Sequence, residues 1–221
     1  MKLFTKKRIV LFLLFIFPLI CFLILSKGEN NFKKLPILTS NISNTVFQEK
    51  LLSLDNKVTI LCFIGKDLDK IKTGLFNFNE KIYKKFIDYN DFQVVAIYSS
   101  EVEKDVFDFK ERLEKYTDMK KWNFIELEDN ELLKFHKNLS VKDTLDNLGI
   151  SKAYILDKNV NLRGRLNDSD YKDGKLESYN LNSVSELKTK MKDDINVLFY
   201  EYYAAFKNRN KNKADRKEVG L

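Results

Sequence analysis

The residues in this 221-residue chain that could do redox or soft-metal chemistry are two cysteines, Cys21 and Cys62, and one histidine, His136. Thiols that exchange disulfides or bind soft metals usually come as close pairs, CxxC or CxxxC, and neither spacing occurs here. Cys62 sits inside ILCFI, which predicts a buried thiol behaving as a small hydrophobe. A peroxidatic or resolving role would need exposure and a lowered pKa. Cys21 lies in an apolar run and reads as filler against lipid or a helix bundle. His136, in ELLKFHKNL, has no second imidazole to share a metal, so a surface or capping role is expected.

The charged clusters are the remaining candidates. Lys66, Asp67, Asp69 and Lys70 follow a strand-like run. They read either as a polar recognition loop at the sheet end where ligands of open α/β sheets bind, or as a solvated loop. Asp168, Asp170, Asp173 and Glu177 form an acidic stretch beside Gly174, but without the DxDxDG ligand spacing of a calcium loop. No Ser-His-Asp grouping, Gly-rich phosphate loop or HExxH is present. No catalytic, cofactor-binding or metal-binding residue is therefore expected.

The elements that must position these residues are legible from periodicity. Residues 58–64, VTILCFI, form a near-continuous apolar run, as in a central strand covered on both faces. Residues 73–89 predict a helix with Leu75, Phe76, Phe78, Ile82, Phe86 and Tyr89 inward. FQVVAIY, 92–98, predicts a second buried strand, so 58–98 reads as a βαβ unit with parallel strands. A helix over 103–116 turns Val106, Phe109, Leu113 and Tyr116 inward. Residues 122–127 predict a short strand, and 130–138 a short helix anchored by Leu132, Leu133 and Phe135. Residues 153–156 and 160–166 predict a hairpin around Asp157-Lys158-Asn159. Residues 167–182 read as a polar loop. The last helix spans 183–206, capped by Ser183 or Ser185. Its stripe is Val184, Leu187, Met191, Ile195, Leu198, Phe199, Tyr202 and Phe206.

The N-terminus reads as a membrane anchor. Lys2, Lys6, Lys7 and Arg8 precede seventeen uncharged residues, 9–25. As a helix these cover about 25 Å, close to a thin bilayer core. The flanking bases predict a cytoplasmic N-terminus and an outward-facing, periplasmic or extracytoplasmic, domain. No A-x-A site follows, so an uncleaved single span is expected over a signal peptide. The organisation expected is 1–26 stub and anchor, 27–45 linker, 46–206 the folded domain and 207–221 a basic tail.

The net charge of +7 belongs to the ends. The first 25 residues carry four bases and no acid, and 207–221 carries six bases and two acids, so the middle is nearly neutral. That distribution predicts no nucleic-acid-binding face.

Taken together, LDNKVTILCFIG, YTDMKKWNFIELEDNELLKF and SKAYILDKNVNLRGRLND resemble, in order and spacing, the opening strand, the tryptophan-containing strand with its short helix, and the late hairpin of the SCO-type copper chaperones and related peroxiredoxins. The resemblance covers about 35–206. It implies an α/β, thioredoxin-like central mixed sheet flanked by helices, preceded by one N-terminal transmembrane helix; that anchor agrees with the membrane-anchored, outward-facing proteins of the family, which do copper or redox work in respiratory oxidase assembly. In that family the work falls to a CxxxC after the first strand and a histidine before the hairpin. Here lysines, Lys66 and Lys70, stand near the cysteine positions, and 149–152 reads GISK. The expectation is thus a non-catalytic binding or assembly factor with an unknown envelope protein as partner. The alternative is a redox or copper role through Cys62 or a partner's thiols.

Overall fold

The computed structural model describes residues 6–26 and 34–218, without the side chains of 8, 9, 24–26 and 207–218. The chain divides into two compact units, Met1–Lys33 and Lys34–Leu221.

In the first unit, α1 runs Lys6–Ser26 with Pro18 inside it. Its described apolar side chains are almost all exposed. Even so, among the described residues no helix is long and apolar enough to cross a membrane. The stretch described side chain by side chain, 10–23, spans about 21 Å against a hydrocarbon core of about 30 Å. The span expected over 9–25 extends beyond it at both ends.

The second unit is a seven-stranded mixed sheet with helices on both faces. In chain order it contains β1 (Ile37–Thr39), α2 (Thr45–Glu49), β2 (Val58–Gly65) and α3 (Leu68–Phe78). α3 continues through a π turn, Asn79–Tyr83, into α4 (Lys84–Phe86). Then come β3 (Phe92–Tyr98), α5 (Glu103–Glu114), β4 (Trp122–Glu126) and α6 (Asp129–Asn138). β5 (Ile150–Leu156), β6 (Leu162–Arg163), β7 (Tyr179–Asn180), α7 (Val184–Glu186) and α8 (Lys192–Glu218) complete it. The strand order is β1-β6-β5-β2-β3-β4, with β7 also pairing β5. β2, β3 and β4 are parallel, whereas β5 runs antiparallel to both β2 and β6. A β2-α3-β3 unit, then an antiparallel β5-β6 hairpin on the other side of β2 and a closing helix, is a thioredoxin-like arrangement.

β2 is central because every one of its residues is buried. Its alternation feeds two cores. Val58, Ile60, Cys62 and Ile64 join Leu75, Phe78, Phe109, Leu187 and Leu198 on one face, while Leu61 and Phe63 join Phe47, Leu132, Phe135 and Tyr154 on the other.

Several sequence expectations shift. The helix expected at 73 begins at Leu68, because the Asp67 carboxylate accepts the Lys70 amide and caps it. Asp69 and Lys70 therefore lie in a first helical turn, not in a loop. Tyr116 and Leu133, expected inward, are exposed, as are Val184 and Phe206 at the ends of the last stripe. Tyr89 is 42% exposed and lies past the end of α4. The polar stretch 167–182 carries β7 and buries Leu176, Tyr179 and Leu181. The stretch 27–45, expected as a linker, contains β1, and Leu35 and Ile42 are core residues. The helix expected to stop at 206 continues as backbone to Glu218.

Candidate functional site

The C-terminal end of β2 is held by backbone before any side chain acts. Gly65 adopts φ +67°, and a Cβ there would lie 2.3 Å from the Gly149 nitrogen, so only glycine fits. Opposite it, residues 146–149 form a tight turn closed by reciprocal Asp146–Gly149 bonds of 2.9 Å, with Asn147 and Leu148 both at positive φ. The Lys66 amide donates to the Asn147 carbonyl at 2.8 Å, and the Ser99 amide to the Gly65 carbonyl at 3.0 Å.

The four predicted recognition residues start here, but each is paired off. The Lys66 ammonium lies 2.6 Å from Asp129 and also against Glu101, and the Ser99 hydroxyl donates to Asp129 at 2.8 Å. Lys70 meets Asp146 at 2.8 Å and Asp67 at 3.8 Å, while Asp69 pairs with Lys72. The hydrogen bonds that Lys66 donates to Asp129 and Glu101 raise its pKa, and the one that Lys70 donates to Asp146 raises that of Lys70. Lys72 holds the Asp69 carboxyl below its ordinary value. Lys66, Lys70 and Asp69 are thus each held more firmly in the charged form. Asp67, Lys70 and Asp146 rim a cleft of about 160 Å³ whose floor includes Ile64 and Ile71. Such a cleft can present a pattern of charge. It offers no neutral amine as nucleophile or ligand.

Cys62 is fully buried between Ile60 and Ile64 on the β2 face toward α3 and α8. Burial raises its thiol far above the ordinary value. It lies three residues short of Gly65, about 10 Å back along the strand. The buried, hydrophobe-like reading of Cys62 is the one the structure supports.

His136 departs from expectation, being neither a surface residue nor a cap. On α6 it is half-buried, with its ring edge-on to Phe63 at 5.2 Å and its Nε2 at 3.5 Å from the Tyr154 hydroxyl. That hydroxyl donates to Asp143 at 3.2 Å, the Ser178 hydroxyl donates to the same carboxylate at 2.5 Å, and Lys152 pairs with its other oxygen. Burial lowers the His136 pKa against the pull of Asp143, and burial raises that of Tyr154. The group is a hydrogen-bonded inclusion in the second core. Sequence reasoning missed it because its members come from four separate segments, and no spacing links them.

The acidic stretch is likewise neutralised. Asp168 meets Lys190 at 2.6 Å and Arg165 at 3.4 Å; burial pushes its pKa up, but these cations hold it low. Asp170 shares Lys190, Asp173 pairs with Lys142, and Glu177 with Lys175. Among the described residues, no three acidic, histidine or cysteine side chains are grouped to hold a metal ion.

Comparison with known proteins finds no matching family model and no matching curated protein. Among solved structures, a proposed protein disulfide isomerase from Bacteroides thetaiotaomicron aligns at 14% identity and TM-score 0.46, over 79% of this chain and 99% of its own. BsSco, of the Sco family of cytochrome c oxidase assembly proteins, aligns at 11% identity and TM-score 0.47, over 72% of this chain and 99% of its own. A proposed electron transfer protein from Aquifex aeolicus VF5 aligns at 15% identity and TM-score 0.45, over 66% and 81%. At that identity and overlap, the thioredoxin-like assignment stands on the strand order itself.

Proposed function

We propose that this chain is a membrane-anchored, outward-facing thioredoxin-like protein of SCO type that holds a partner in the cell envelope and carries no cofactor. One observation carries the reading. At the end of β2, where ligands of open α/β sheets bind, stand two protonated, ion-paired lysines, Lys66 and Lys70. Ammonium groups do not ligate soft copper and have no redox couple, so copper does not fit this donor set. The cleft beside them, rimmed by Asp67, Lys70 and Asp146, is suited to a polar protein surface. The basic 2–8 segment before apolar 9–25 supports the anchor and its orientation. Assembly or maintenance of an envelope complex is the role the SCO resemblance suggests. Burial of Cys62 weighs against the alternative redox or copper role.

The test places a photo-crosslinking residue at Asp146 or, as a control, at Lys110 on the solvent side of α5, in the full chain in its native membrane. A discrete adduct from position 146, lost in Lys66→Glu/Lys70→Glu, supports the reading. Stoichiometric Cu(I) binding by the purified full chain, abolished by Cys62→Ala or His136→Ala, overturns it.

A further inference from the structure

Toward the end of its described side chains, α8 turns aromatic rings away from the core. Tyr200, Tyr203 and Phe206 are 55%, 66% and 63% exposed, and Ala204 and Ala205 between them are exposed too. Tyr89 packs on Phe199 with ring centroids 4.4 Å apart, and these two line a shallow groove of about 320 Å³ with Tyr200, Tyr203 and Asn196. No charged residue lines it. The outer face of a water-facing helix normally carries charge. Over 199–206 only Glu201 is charged, and a run of charge follows. The helical backbone continues unbroken to Glu218, and the sequence over 207–218 holds six bases and two acids. Tyrosine and phenylalanine rings settle at the headgroup level of a bilayer, and adjacent lysine and arginine side chains meet lipid phosphates.

Position adds a second argument. The chain enters the compact unit on α8: the Leu35 amide donates to Glu201, the Leu35 carbonyl accepts from Arg163, and Arg163 also binds Glu201 at 3.0 Å. Glu201 lies between Tyr200 and Tyr203.

We propose that α8, through Tyr89, Tyr200, Tyr203, Phe206 and the basic sequence that follows, lies on the anionic lipid surface of the membrane that carries the anchor. The inference rests on the anchored reading only for the nearness of lipid. Its consequence is an orientation. Tyr89 lies just before Phe92, the first residue of β3, whereas Lys66 follows the last residue of β2, and the two strands are parallel. The aromatic groove and the Lys66–Lys70 end therefore occupy opposite ends of the sheet. Seating the groove on lipid turns the partner-binding end toward the aqueous side.

The test uses the full chain in vesicles of phosphatidylcholine, with or without about one third phosphatidylglycerol. The readout is the rate at which trypsin cuts the 207–217 segment in outward-facing molecules. We expect cleavage at least about fivefold slower in anionic vesicles, with the difference lost at about 0.5 M NaCl. It should also be lost in Tyr203→Ser/Phe206→Ser, whose exposed positions leave the fold intact by circular dichroism. Equal cleavage in both vesicle types overturns the proposal. Protection in phosphatidylcholine alone that grows with protein density identifies a second copy as the occupant and also overturns it. Alkaline carbonate extraction reads the anchor separately. If the chain is released, flotation with anionic vesicles alone still supports lipid binding by α8, and failure to float counts against it.

Discussion

The Arg163 Nε lies 2.7 Å from the Asp157 carboxylate, and both side chains are almost fully removed from solvent. The same guanidinium reaches Glu201 at 3.0 Å and the Leu35 carbonyl, tying the hairpin to α8 and to the chain's entry into the domain. Asp157 in turn accepts the backbone amides of Asn159 and Asn161 at 2.9 Å, fixing the turn. Removing one partner from a buried pair leaves an uncompensated charge. Arg163→Met should therefore cost about 3–5 kcal/mol, measured as a fall in the urea midpoint at constant slope. Lys66→Met, at the exposed pair across the sheet end, should leave the midpoint unchanged within error. A smaller loss at Arg163 than at Lys66 would show the buried cluster to be unimportant.

Gly65 supplies a second contrast. Gly65→Ala should destabilise by more than about 1 kcal/mol, because the left-handed φ and the 2.3 Å approach to Gly149 both oppose a methyl group. Gly65→Ala with wild-type stability in urea would show that the 146–149 turn moves aside easily.

Cys62 should react with a thiol reagent only when the domain opens. Its labelling rate in the native state should track the unfolding equilibrium across urea concentrations, and Cys62→Ala should cost about 1–2 kcal/mol through the small cavity left. Fast labelling at zero denaturant, independent of stability, would revive the redox alternative.

The His136 environment makes a pH prediction. Burial depresses its pKa in the folded state below the ordinary value near 6.5. Its contribution is fully present above pH 6.5. As pH falls below 6.5 the unfolded chain takes up a proton that the folded chain refuses, and stability drops until pH passes the folded pKa. Urea midpoints taken between pH 8 and 5 should fall over that window in the wild type and stay flatter in His136→Gln. Parallel profiles would mean the ring is not desolvated in solution. Asp168, whose pKa is also depressed, loses its contribution in a more acidic range and does not confuse the result.

How much of this was legible in the sequence follows the range of the interaction. β2, β3 and their parallel pairing were readable because apolar runs of seven or eight residues between turns leave few alternatives. The Asp67 cap was missed by five residues because Lys66, Asp67 and Lys70 look like a solvated loop until the carboxylate is seen to bind the Lys70 amide. β7 was missed because a two-residue strand has no period, although Tyr179 and Leu181 alternate about Asn180. Leu35 and Arg163 are 128 residues apart, and Lys70 and Asp146 are 76 apart. Pairs at such range leave no mark on local pattern. Lys66, Asp67, Asp69 and Lys70 were legible as a charged cluster after β2, and their pairing with Asp129, Glu101, Asp146 and Lys72 was not.

Leu35 has a mechanical consequence. Its amide and carbonyl are gripped by side chains of α8 and β6, and the neighbouring Pro36 carbonyl accepts from Gly164 at 3.2 Å. A pull on the chain ahead of the domain is thus resisted first by the Arg163–Glu201 clasp and the short β1–β6 pairing at one edge of the sheet. The load does not pass through the β2–β3 ladder, and the end carrying Lys66 and Lys70 stays off the path of force. Tension applied ahead of Leu35 is thus spent at that edge, while the far end of β2 keeps its shape.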